Sequence, residues 1–192
     1  MAYAAWLSIY GSGEQQRLAA EFVSYILQRA AKAGEKVHEK AIRIVDEGKE
    51  RGSLTLKGFE MRVEVNGEKY KVRVIDGEAV EEDRGDRKLL RIRIIAEVGR
   101  VRRYYTMTFS RRRADNTAVG HADASVNAPG GREADAERLA AVIKALTGKE
   151  PRIRRMKNGQ IKIVCGREHL EGFKRYAELA EAIERWLEET SR

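Results

Sequence analysis

Three histidines, one cysteine and one histidine–aspartate pair are the residues whose types invite a catalytic or metal-binding reading. His38, His121 and His169 fall in three separate patterns with no ligand-like spacing. Cys165 stands alone, which excludes an intramolecular disulfide and a cysteine-based zinc site. It ends an apolar alternation, where a buried, inert thiol is expected. His121 and Asp123, two apart on one strand face, have the spacing of a proton-transfer or metal pair, and an ordinary surface pair has the same spacing. Gly11-Ser12-Gly13 sits where a dinucleotide fingerprint would begin, but Gln16 occupies the third glycine position and no Walker lysine follows. Ser12 and Gln15 suit a helix-capping box instead. No local pattern sets a nucleophile beside a base. The expectation is therefore no catalytic residue, no metal and no cofactor.

The charge pattern carries more. The 192 residues hold 38 Lys and Arg against 30 Asp and Glu, a net charge of +8. Residues 87–113 carry ten Lys and Arg against Glu97 alone, and residues 149–162 carry six against Glu150 alone. A ladder of ion pairs would interleave the signs locally, so this segregation favours a surface for a polyanion. The stretch "RVRRYYTMTFSRRR" at 100–113 mixes arginine with aromatic and threonine residues in the same way. The competing account is a heat-stable surface, since 35% charged residues with two prolines and one cysteine resembles a thermophile's composition.

These residues need elements to hold them. Leu18, Phe22, Ile26 and Ala30 recur at helical spacing, and after Gly34 the pattern resumes with Val37, Ala41, Ile44 and Val45 until Gly48, the expected stop. The period then becomes two: Met61, Val63 and Val65, a turn at "NGEK", then Tyr70, Val72 and Val74. A charged loop, "GEAVEEDRGDR", precedes Leu90, Ile92, Ile94 and Val98, and Gly99-Arg100 turns the chain into Val101, Tyr105, Met107 and Phe109. "TAVGHADASV" reads as a further strand. Leu139, Val142, Ile143 and Leu146 form a helical stripe. "RIRRMKNGQIKIVCG" reads as a hairpin turning at Asn158-Gly159, and a last helix from about Arg167 buries Leu170, Phe173, Ala177, Ala180, Ile183 and Leu187.

The resulting fold class is α+β, with an antiparallel sheet of about five to seven strands, an N-terminal helical segment and two C-terminal helices on one side. Residues 1–50 form the helical segment and 51–192 the sheet domain, as one domain overall. No apolar run reaches the ~20 residues of a membrane span. "MAYAAWLSIYG" lacks a basic leader and a cleavage site, so the expected location is cytoplasmic.

Alternation puts the charge question geometrically. If Met61, Val72, Ile92 and Tyr105 face the core, then Arg62, Lys71, Arg73, Arg91, Arg93, Arg102 and Tyr104 share the opposite face. Only Glu64 and Glu97 stand near enough in the sequence to neutralise them. Arg152, Arg154, Arg155 and Lys157 add a second basic tip. A nucleic-acid backbone would relieve the repulsion, and Tyr104 could stack on a base. The alternative is that acidic residues cover the arginines, from the last helix, with seven Glu in residues 167–192, and from Glu81, Glu82, Asp83 and Asp86.

"AEFVSYILQRA", "RGSLTLKGFE", "APGGREADAERLAAVIKALTGKEPRIRRMKNGQI" and "CGREHLEGFKRYAELAEAIERWLEET" resemble the PaRep proteins of hyperthermophilic crenarchaea, second set, type b, from about residue 18 to the end. That resemblance implies a thermophilic archaeal cytosol and no established function. The run from the helix before "LTGKEP" through the hairpin to "REHLEGFKRYAEL" is similar in architecture to the latter half of a LAGLIDADG homing-endonuclease repeat, and those proteins lay a basic sheet on DNA. The apolar glycine-containing helix that carries the metal-binding acid in those enzymes has no counterpart here, so the likeness implies binding without cleavage. The expected function is a non-catalytic nucleic-acid-binding module, DNA before RNA. The alternatives are a degenerate magnesium-dependent endonuclease, an interaction module that forms a homodimer or docks an acidic protein, and a mobile-element remnant.

Overall fold

The computed structural model describes residues 1–10, 13–50, 52–85 and 87–190. The chain forms two compact units, Met1–Leu54 and Thr55–Arg192. Ser12, the expected cap, lies outside the described residues.

The first unit is three helices, α1 (Ala2–Tyr10), α2 (Gly13–Ala33) and α3 (Glu35–Glu50). Gly34, at φ +124°, breaks α2 from α3 in a conformation that side-chain-bearing residues avoid. Ala5, Val23 and Val45 form the centre, with Ala4 and Leu27 packed against it. The buried face of α2 is Ala19, Val23 and Ala30, not the expected Leu18 and Phe22, which are 51% and 46% exposed. The helix is turned by about one residue, because alanines let α1 and α3 approach closely where larger side chains would not. Gly48 is likewise no stop. It lies inside α3, where an added Cβ would meet Ala5 Cβ at 2.9 Å, so its lack of a side chain lets α1 sit against it.

The second unit is built on β1 (Glu60–Val65), β2 (Glu68–Asp83), β3 (Lys88–Val98), β4 (Val101–Arg111), β5 (Ala118–Asp123), β6 (Arg152–Arg155) and β7 (Ile161–Cys165). They form one antiparallel sheet in the order β1-β2-β3-β4-β5-β7-β6. Asn66 and Gly67, both at positive φ, make the β1–β2 turn that the sequence announces. The segment expected as a charged loop after Gly77 is instead the second half of β2. Its Ala79 pairs with Ile92 and its Glu81 with Leu90, so pairing with β3 overrides the poor strand preference of Gly, Glu and Asp. A bulge between Val74 and Asp76 inserts Ile75 and restores the alternation beyond it. The Asn158-Gly159 signal falls in a longer turn, in which the Gly159 amide donates to Met156 and the Met156 amide to Gln160.

Helices α4 (Gly131–Thr147), α5 (Arg167–Phe173) and α6 (Ala177–Thr190) pack on one face of this sheet. Leu139, Val142, Ile143 and Leu146 are buried as the stripe required, and so are Val72, Ile92, Ile94, Met107 and Ile163 of the sheet. The last helix is two pieces. The chain breaks after Phe173 so that Tyr176 turns inward, edge-on to Phe59, and donates to the Leu146 carbonyl at 3.0 Å. The break shifts the phase of α6: Ala177 is exposed, and Trp186 fills the core while its Nε1 donates to the Lys88 carbonyl at 3.0 Å.

Candidate functional site

Because Val72, Ile92 and Tyr105 point toward the helices, residues of the opposite parity stand on the other face, and no helix of the second unit packs there. The structure brings Arg62, Lys71, Arg73, Arg91, Arg93, Arg102 and Tyr104 together on that face through the β1–β4 registers. Arg152 and Arg154 join it from the far edge. One cross-strand row runs Arg91–Thr108–His121–Val164–Arg152, and another runs Asp123–Lys162–Arg154. Seven strands at the usual spacing spread these groups over ~30 Å.

Two expected residues behave differently. Arg155 has the helix-side parity of Ile153 and donates to both oxygens of Glu133, at 3.0 and 2.8 Å. The same contact holds the Glu133 carboxyl below its ordinary range. Lys157 is exposed at the tip of the hairpin, off the sheet.

The acids are also more numerous than the local sequence implied. Lys71 pairs with Glu60 at 2.7 Å, Arg91 with Glu82 at 2.5 Å and Arg93 with Glu78 at 3.0 Å. Lys71 holds the Glu60 carboxyl below its usual range, chiefly by its hydrogen bond. These acids come from the partner strand, where register and not sequence proximity decides who meets whom. The Lys71 and Arg93 pairs are exposed and exchange partners readily, whereas Arg91 and Glu82 are half-buried together. By contrast, Arg62, Arg73, Arg102, Arg152 and Arg154 are exposed and make no hydrogen bond or ion pair among the described residues. Arg73 and Arg102 flank Glu97 in one row, two cations to one acid.

Three charged groups of the acidic last helix are engaged elsewhere. Its Glu178 accepts from the Leu56 amide at 3.0 Å, its Glu189 pairs with Lys88 at 2.5 Å, and its Arg185 takes up Glu81 at 2.5 Å, all on the other side of the sheet. The 100–113 stretch is thus divided. Arg102 and Tyr104 look outward. Arg103 reaches Asp135 of α4 at 2.9 Å, and Arg111 lies over the Trp186 ring while donating to Thr190 Oγ1 at 2.9 Å.

Near the middle of the face, Tyr104 is 73% exposed and stands across from Ile95. The two border a depression of about 690 Å³ with Asp76, Glu78, Arg93 and Thr106. Sequence reasoning missed Asp76, Glu78 and Ile95. The only signal for them was the interrupted alternation in "VRVIDGEAV", which is the bulge. His121, also on this face, has its pKa lowered by desolvation and then by Lys162 and Arg154.

The residues that invited catalysis are dispersed. Cys165 is 1% exposed, and burial pushes its thiol up to about 12. His169 accepts from the Gly166 amide at Nδ1 and caps α5 from within the core. Among the described residues no group of three or more His, Cys, Asp or Glu could hold a metal ion, and no helix is long and apolar enough to cross a membrane.

A family model described as PaRep2b protein matches residues 22–191. No curated protein and no solved structure matches the chain.

Proposed function

The chain belongs to the PaRep2b family, and we propose that it is a nucleic-acid-binding module that uses the sheet face opposite helices α4–α6 without catalysis. The observation that supports this reading is the set of five arginines, Arg62, Arg73, Arg102, Arg152 and Arg154, exposed together without hydrogen-bond or ion-pair partners among the described residues. A stability device would pair them, as Arg155 is paired with Glu133. Arg62 faces Lys71 and Arg154 faces Lys162 across strand pairs, like charges whose repulsion a phosphate backbone removes while releasing its own counterions. Arg93 and Lys71 hold exposed acids that phosphate oxygens can replace, Arg91 is half-buried against Glu82, and Lys157 extends the basic field at the hairpin tip. DNA is the favoured polymer.

The direct test is titration against labelled duplex DNA, single-stranded DNA and RNA at salt concentrations from about 50 to 200 mM. Binding whose affinity falls steeply with salt supports the reading, by ~10³-fold or more if six phosphates are engaged. Absence of binding at the lowest salt overturns it.

A further inference from the structure

Two acids stand in the middle of the arginine face, and phosphate does not explain them. Asp76 and Glu78 both border the Tyr104 depression, where a phosphate oxygen would meet carboxylates. Glu78 is held by Arg93 at 3.0 Å. Asp76 is not held by any cation among the described residues. Its Oδ1 accepts from the Gly77 amide at 2.9 Å, which fixes the side chain and leaves Oδ2 unoccupied by any hydrogen bond among those residues. An ionised carboxylate offers about four lone-pair sites and no donor, so Asp76 presents acceptors only.

The backbone fixes where this group stands. The bulge after Val74 places Asp76, and not Ile75, across from Ile95, and Ile95 lies across from Tyr104. Acceptor, apolar floor and exposed ring therefore form one row across three strands, about 10 Å from end to end. Gly77 cannot carry a side chain beside it, because a Cβ there would meet Leu56 Cδ1 at 2.7 Å and Ile94 Cδ1 at 2.9 Å. The bulge and its glycine are thus tied into the core, and Asp76 is held over the depression by the packing beneath.

We infer that this depression receives one unpaired nucleobase, stacked on Tyr104, whose edge donates neighbouring N–H groups to Asp76, the pattern that guanine presents. The inference rests on the nucleic-acid reading above and narrows it. Aromatic stacking accepts any base, whereas a carboxylate selects a base edge that donates. The Watson–Crick edge is engaged within a duplex, so the ligand is a single strand or a loop with its bases splayed out. The arginines on either side of the row then carry the flanking phosphates.

The test uses the full chain and four labelled single strands: thymine only, and the same strand with isolated guanine, inosine or adenine substitutions. The guanine strand should bind roughly tenfold tighter than the thymine and adenine strands, with inosine between them because it lacks the amino donor. Asp76→Asn should erase that preference, and Tyr104→Leu should weaken all single strands by about tenfold, consistent with the loss of one stacked base. Both variants should melt as the parent does, since both side chains are exposed. Equal binding of all four strands, unchanged by Asp76→Asn, would overturn the base site and leave the nucleic-acid reading standing. Failure of every strand and of duplex to bind at low salt would overturn both.

Discussion

Arg102 and Arg103 are neighbours in the chain and serve opposite faces of the sheet. Arg103 reaches the buried Asp135 at 2.9 Å, whose other oxygen accepts from the Ser125 amide at 2.7 Å. Arg102 stands exposed in the row with Glu97 and Arg73. Arg103→Ala leaves a carboxylate, 6% exposed, without its main cation, and is expected to cost roughly 2–3 kcal/mol. Arg102→Ser should stay within about 0.5 kcal/mol of the parent. Urea midpoints for the two variants decide this, and equal shifts would contradict the division of faces.

The unpartnered arginines should be visible in the salt dependence of binding. Removing one phosphate-binding cation lowers the slope of log affinity against log salt by about 0.9 for duplex or 0.7 for a single strand. Arg62→Ser, Arg73→Ser and Arg102→Ser combined should therefore flatten the slope by about 2–3 while leaving the unfolding midpoint in place. Arg155→Ser is the control, because its guanidinium is occupied by Glu133 on the helix side. A slope that falls as much for the control as for the triple variant would show that net charge, not this face, sets the effect.

The outward set was legible because alternation fixes parity. Once Val72, Ile92 and Tyr105 are inside, Arg73, Arg91, Arg93 and Tyr104 have nowhere else to go. Their acid partners were only partly legible. Glu82 stood among the acids the sequence offered, but Glu60 and Glu78 meet Lys71 and Arg93 only through hairpin register and the Ile75 bulge, and a bulge leaves no more trace in sequence than one extra apolar residue. The second half of β2 was hidden for a related reason. Its inward Glu81 breaks the apolar pattern, and Arg185 from α6, about a hundred residues away, is what makes it tolerable. On α2, apolar residues line two adjacent stripes, and only packing against α1 and α3 selects the smaller one.

Gly120 is held to glycine by its neighbour across the β4–β5 pair. A methyl group there would sit 2.6 Å from Phe109 Cε1 and 2.7 Å from Cζ. Phe109 has no room to retreat, being fully buried and edge-on to Phe173 at 6.5 Å. Gly120→Ala should destabilise the protein by about 1–3 kcal/mol through overpacking. Adding Phe109→Leu should recover part of that loss, because it removes the atoms in conflict. Thermal melts of the single and double variants measure it, and strictly additive losses would show that the two positions do not collide.

Cys165 should report on unfolding alone. Its thiol is 1% exposed and pushed up to about 12 by burial, with a smaller contribution from Glu168. The thiolate that reacts with disulfide reagents is therefore almost absent at neutral pH in the folded protein. Labelling should be negligible until denaturant opens the sheet and should then follow the unfolding transition. Rapid labelling under native conditions would mean that β7 opens locally.

His121 couples the sheet face to pH. Its pKa is depressed from 6.5, first by desolvation, then by Lys162 and Arg154, with Asp123 opposing. Across the neighbouring strands it meets Thr108 and Val164, which carry no charge. The unfolded chain therefore binds the proton more readily. The contribution of neutral His121 to stability is present above about pH 6.5 and is lost as the pH falls through the folded value. A polyanion laid over Arg91, Arg152 and Arg154 adds negative charge beside the ring and raises that pKa, so binding takes up a proton. Affinity should accordingly rise as the pH drops from about 7.5 to 5.5, by roughly three- to tenfold if the pKa moves by up to one unit. His121→Gln should flatten both dependences. Dissociation constants at the two pH values, with the His121 ring titration followed by NMR in free and bound protein, check the two halves separately, and a variant that keeps the parent's pH profile would remove His121 from the interface.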